Sequence, residues 1–150
     1  MEDSVVVRIE APVEAVWDLV SDITRIGEFS PETLAAEWVA PAEGPEVGAR
    51  FRGQVKRNQK GPKYWTDCRV THCEPNKSFG FAVVIKDSPV NNWRYDLEAD
   101  GKATNVTESF RLESTLPNRI YWTAFGRWRG ETNRRGMRET LERMKAVLER

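Results

Sequence analysis

Polar and apolar positions along the chain change period three times. Near the amino end, Ser4 to Glu10 alternates, with Val5, Val7 and Ile9 on one face and Val6 and Arg8 on the other, which predicts a half-buried strand. The period then lengthens. Val13, Val16, Trp17 and Val20 form an apolar helical stripe behind Pro12, a residue tolerated in the first turn of a helix. Ser21 and Asp22 offer a new N-cap for a short helix near Ile23 to Gly27, which Gly27 and Pro31 stop.

Alternation returns for the middle of the chain. Leu34 to Ala40, Val47 to Arg57, Tyr64 to Glu74 and Ser78 to Lys86 read as strands, divided by Pro41 to Pro45, Gln59 to Pro62 and Pro75-Asn76. Phe79, Phe81, Val83 and Ile85 share one face, and so do Trp93, Tyr95 and Leu97 on the next strand. Asp100-Gly101 is a hairpin signal before the last strand, Thr104 to Glu113. Strands joined by tight turns imply an antiparallel meander. From Glu131 to Arg150 the helical period takes over again: Met137, Leu141, Met144 and Leu148 fall on one stripe, with Arg138, Glu139, Glu142, Arg143, Lys145 and Glu149 forming a solvated back. The fold class this predicts is α+β, a curved antiparallel sheet of about seven strands wrapped on a long C-terminal helix, with two short helices after the first strand.

Between sheet and helix, Pro117 to Gly130 fits neither pattern. Projected onto the terminal helix at roughly 100° per residue, Tyr121, Phe125 and Trp128 point away from the Met137 stripe. A break near Gly126 to Gly130 is the expected outcome, since two close glycines weaken a helix interior by about 1 kcal/mol each.

Composition narrows the function classes. The 150 residues are expected to form one domain, 1–150, and 39% hydrophobic against 31% charged residues is a globular balance. No run is long and apolar enough to span a bilayer, and Met1 to Glu10 lacks the pattern of a signal peptide, so the cytoplasm and no stable membrane insertion are expected. Lys plus Arg total 23, as do Asp plus Glu, so no net field argues for nucleic acid. Cys68 and Cys73 sit too far apart along one strand, at roughly 3.3 Å per residue, to form a disulfide. With His72 as the single histidine, no metal site and no cofactor are expected. Six Trp and six Phe, however, are enough to line an apolar pocket as well as a core.

The order of elements resembles the helix-grip fold of the START-like (SRPBCC) superfamily, and within it the polyketide cyclase/dehydrase and lipid-transport branch. The residues that carry the resemblance are Ala11 to Asp22 with Gly27 to Pro31, Trp65 to Thr71, Phe79 to Phe81, Trp93 to Tyr95 and Leu141 to Lys145. The resemblance implies a cavity between helix and concave sheet that takes hydrophobic or amphipathic small molecules.

Within such a cavity, Phe79, Phe81, Trp93 and Tyr95 are expected wall residues, with Phe110 inward on the last strand. Asn133 and Met137 are expected on the roof. Glu108 is in phase with Val106, Phe110 and Leu112 and therefore points inward. A structural role, pairing with an Arg or reaching the cavity mouth, is the expected reading of Glu108. The alternative is a general acid, because an unpaired buried carboxyl has a raised pKa. Tyr64, Thr66, Cys68, Val70 and His72 share a face if no bulge intervenes; His72 is expected at the surface and Cys68 as a small buried hydrophobe.

The function expected from all this is binding of a hydrophobic or aromatic small molecule, lipid or polyketide-like. One alternative is a cyclase or dehydratase using Glu108, Tyr64 or Tyr95 as proton-handling catalytic groups. A second is a protein or membrane interaction module built on the aromatic segment 121–128, where a lid or a homodimer contact would explain the same residues.

Overall fold

The first alternating stretch forms strand β1, Glu2–Ile9, with Val5, Val7 and Ile9 buried. The computed structural model describes residues 2–56, 62–113 and 133–150. Helix α1, Val13–Ser21, follows, and Pro12 stands at its cap, one position earlier than expected. The Pro12 carbonyl accepts from the amides of Ala15 and Val16. A 3-10 helix, Ile23–Glu28, comes next, where the Asp22 carboxylate accepts from the Thr24 amide, as the sequence predicted for a fresh cap.

Six strands then run β2 (Thr33–Trp38), β3 (Arg50–Val55), β4 (Tyr64–Glu74), β5 (Ser78–Ile85), β6 (Ser88–Asp100) and β7 (Ala103–Leu112). Every pairing is antiparallel, in the order β1-β7-β6-β5-β4-β3-β2, so the first strand closes against the last and β2 forms the opposite edge. Left-handed backbone at Lys86 and Asp87 makes a two-residue turn between β5 and β6, and Gly101, with φ of 63°, supports the hairpin expected at Asp100-Gly101.

Three register shifts bend the sheet: between Thr33 and Ala35, between Val70 and His72, and between Val83 and Val84. Each places an extra residue on one strand and adds local twist, which deepens the concave face. The final helix, α2, is described over residues 133–148. Its stripe of Met137, Leu141 and Met144 is buried in one core with Val5, Ile9, Val16, Phe79, Tyr95 and Val106. Polar contacts fix its placement: Arg134 pairs with Asp3, Arg143 donates to the Ser30 carbonyl, and Lys145 donates to the Arg8 carbonyl. This is the helix-grip arrangement that the sequence predicted.

Some boundaries moved. Val47 lies outside β3 and is exposed, because Gly48, with φ of 91°, turns the chain before the strand begins. Ile85 is 61% exposed instead of sharing the buried face of Phe79, because it ends β5 at the Lys86–Asp87 turn. Residues 117–130, where a helix break and an aromatic face were expected, lie outside the described residues.

Candidate functional site

The helix stripe fills only part of the concave sheet. Towards the start of α2, a second row, Asn133, Gly136 and Thr140, takes the same side at i, i+3 and i+7, and these side chains are small or polar. Beneath them lies a cavity of about 290 Å³. Its floor consists of Phe51 and Gly53 on β3, Thr66 and Cys68 on β4, Phe81 and Val83 on β5, Asn91, Trp93 and Tyr95 on β6, and Glu108 on β7. The segment from Ser30 to Thr33 forms one side, organised by the Ser30 hydroxyl, which accepts from the amides of Glu32 and Thr33. The volume is at the lower end for small-molecule sites.

Two of the expected wall residues lie elsewhere. Phe79 is fully buried and packs edge-on against Trp17, 6.3 Å between centroids, as part of the core. Phe110 is buried against Trp93 at 4.7 Å and supports that ring from outside the cavity. Phe81, Trp93, Tyr95, Glu108, Asn133 and Met137 all line the space, and Tyr64 stands at it with 44% exposure. His72 does not join them. The register shift after Val70 sets it opposite Gly80 on the outer face, where its Nδ1 lies 3.0 Å from the position a Gly80 Cβ would take.

Glu108 and Tyr95 are direct cross-strand partners, and the Tyr95 hydroxyl donates to Glu108 Oε1 at 3.3 Å. Glu108 is 3% exposed, and its Oε2 has no hydrogen-bond partner among the described residues. Burial pushes its pKa from an ordinary 4.5 up to about 8, with the Tyr95 hydrogen bond opposing in part. At neutral pH the side chain is therefore mostly a carboxylic acid. Burial first, then the charge of Glu108 and the hydrogen bond to it, pushes Tyr95 well above the usual phenol range. Burial also holds the Cys68 thiol at about 12, which removes it as a nucleophile. Both cysteines are free thiols. Desolvation and the neighbouring Arg94 lower the His72 pKa.

Chemically, the arrangement offers apolar wall residues, one neutral acid supported by a phenol, and a second buried oxygen without a partner among the described residues, the acceptor Asn91 Oδ1. Among the described residues, no three His, Cys, Asp or Glu side chains gather to hold a metal ion. None of the described helices is long and apolar enough to cross a membrane. Asn91, Gly136, Thr140 and Phe51 were not anticipated. Asn91 carried a signal: it precedes Trp93, Tyr95 and Leu97 in the same alternation, two residues earlier.

Comparison with known proteins agrees with this fold. The family model for polyketide cyclase / dehydrase and lipid transport proteins matches residues 3–149. A polyketide-cyclase-like protein from Corynebacterium glutamicum, solved by solution NMR, is 32% identical with a TM-score of 0.62, covering 99% of this chain and 91% of its own. A START superfamily protein from Mycobacterium smegmatis shares the fold at 18% identity and a TM-score of 0.71, covering 99% and 97% of the two chains. A protein from Nitrosomonas europaea does so at 14% identity and a TM-score of 0.74, covering 99% and 94%. No curated protein matches the chain.

Proposed function

Because this chain belongs to the polyketide cyclase / dehydrase and lipid transport family, we propose that it binds a hydrophobic or aromatic small molecule in the cavity between the sheet and α2. The observation that carries this reading is the cavity itself: a space of about 290 Å³ walled by Phe51, Phe81, Val83, Trp93 and Met137, with polar side chains, among them Thr66, Asn91, Glu108 and Asn133, set between these apolar ones. Such a balance suits a ligand held by burial and oriented by one or two hydrogen bonds.

Gly136 provides the test. A Cβ built there meets nothing within 4 Å among the described residues, so Gly136→Phe projects a ring into the space with little distortion of the helix. Titration with the neutral fluorescent probe N-phenyl-1-naphthylamine is expected to saturate on the parent protein and to weaken at least about tenfold on the variant. Equal binding to both proteins would place the probe elsewhere and remove the support.

A second reading, an enzyme of the cyclase or dehydratase kind, is favoured by the Tyr95–Glu108 pair, since an acid with a pKa of about 8 is poised for proton transfer near neutrality. Binding ranks first because the thiol of Cys68 is protonated and His72 faces away, so neither joins that acid as a base. Glu108→Gln with intact affinity but abolished turnover would reverse the ranking. The third expectation, an interaction surface over residues 121–128, lies outside the described residues.

A further inference from the structure

Both orphaned oxygens in the described structure belong to the floor of this one cavity. Glu108 Oε2 and Asn91 Oδ1 are buried with no hydrogen-bond partner. A buried polar group left this way pays for its lost hydration without a partner, so two on one wall call for a complement. Their spacing is set by the strands. Asn91, Trp93 and Tyr95 face the cavity from β6, and Tyr95 lies directly opposite Glu108. Asn91 is thus four residues, roughly 13 Å, along the strand from the Tyr95–Glu108 pair, with Trp93 between them. The regular pairing of β5 with β6 carries this through, Phe79 to Tyr95, Phe81 to Trp93 and Val83 to Asn91, and the register shifts only beyond Val83, towards the turn.

Resting on the binding reading above, we propose that the cavity takes a neutral, elongated aromatic molecule with a carbonyl oxygen at one end, bound by Glu108, and a hydroxyl or N–H donor at the other, bound by Asn91. Its rings would lie against Trp93 and Phe81. The polarity of the Glu108 end follows from its hydrogen bonding. The Tyr95 hydroxyl donates to Oε1, so the proton of the acid resides on Oε2, which faces the cavity as a donor. A carboxylic acid kept neutral by burial donates in this way.

The surroundings agree. The other titratable groups on the wall are Glu32, Tyr64, Cys68 and Tyr95, and no Lys, Arg or His is among the described lining residues. Ile26, Asn133, Gly136, Met137 and Thr140 face the cavity without charge. Among the described lining residues, neither an ionised Glu108 nor a ligand carboxylate would meet a countercharge.

Calorimetric titration at pH 7 with five rod-shaped probes tests the proposal: biphenyl, para-acetylbiphenyl, para-hydroxybiphenyl, the compound bearing both groups, and biphenyl carboxylate. The doubly substituted probe is expected to bind at least about tenfold tighter than biphenyl, with the single substitutions between and the carboxylate weakest. Asn91→Leu should erase only the hydroxyl advantage and Glu108→Met only the acetyl advantage. Glu108→Gln should keep the acetyl advantage, because its amide N–H replaces the acid O–H, and should keep it above pH 8, where the parent loses it. Equal binding of all four neutral probes would overturn this inference while leaving the binding reading intact. Loss of the acetyl advantage in Glu108→Gln, or carboxylate binding as tight as ketone binding, would also overturn it. If no probe binds, biphenyl included, both readings fall.

Discussion

Glu108 shows what one residue's phase can reveal. Its place in the alternation of Val106, Phe110 and Leu112 is enough to turn it inward, and the structure finds it buried beside Tyr95. Its titration makes a stability prediction. Below pH 4.5 both folded and unfolded chains hold the proton; between 4.5 and about 8 the unfolded chain releases it while the folded chain retains it. Stability from this group therefore falls as pH rises through that window, by at most about 1.4 kcal/mol per pH unit, and levels off above it. Urea denaturation of the parent and Glu108→Gln from pH 4 to 9 should show the variant gaining relative stability across the window. A constant difference would contradict the raised pKa. His72 was less legible from its neighbours. Alternation counted from Val70 places it inward, and one extra residue in β4 reverses it, a displacement that neither Thr71 nor His72 announces.

At the scale of elements, periodicity identified almost everything that packs. The Met137, Leu141 and Met144 stripe is buried as spaced, and β4 has the predicted ends. Gly27 was read as a stop signal, yet it lies inside the 3-10 helix, which ends one residue later. Its role is a close approach: a Cβ at Gly27 would lie 2.3 Å from the Leu34 carbonyl oxygen. This lets the 3-10 helix pack directly on β2, beside the segment that walls the cavity. Gly27→Ala should therefore destabilise the fold by about 1–3 kcal/mol, measured by chemical denaturation, because backbone has to move. A change within about 0.5 kcal/mol, the range for an unconstrained surface site, would mean that the approach is looser than described. No pattern within the 3-10 helix could have shown this, since the partner atom belongs to another element.

For the whole molecule, the order of elements sufficed for the helix-grip architecture, because a single amphipathic helix and a meander of half-apolar strands have few ways to bury each other. The cavity needed more. Its boundary depends on cross-strand register and on where small side chains such as Gly136 fall beneath the helix, and both are products of assembly. Thus Phe79 and Phe110, inward by phase, became core, whereas Asn91, equally inward, became floor. A small molecule in this space is what the fold, the family and the lining together lead to. Native mass spectrometry of the protein as purified, beside a denatured sample, tests it most directly. A mass excess of one small organic molecule that disappears on denaturation is expected, or, for a preparation emptied during purification, a one-to-one adduct on adding para-acetyl-para′-hydroxybiphenyl. Bare protein under both conditions would contradict it.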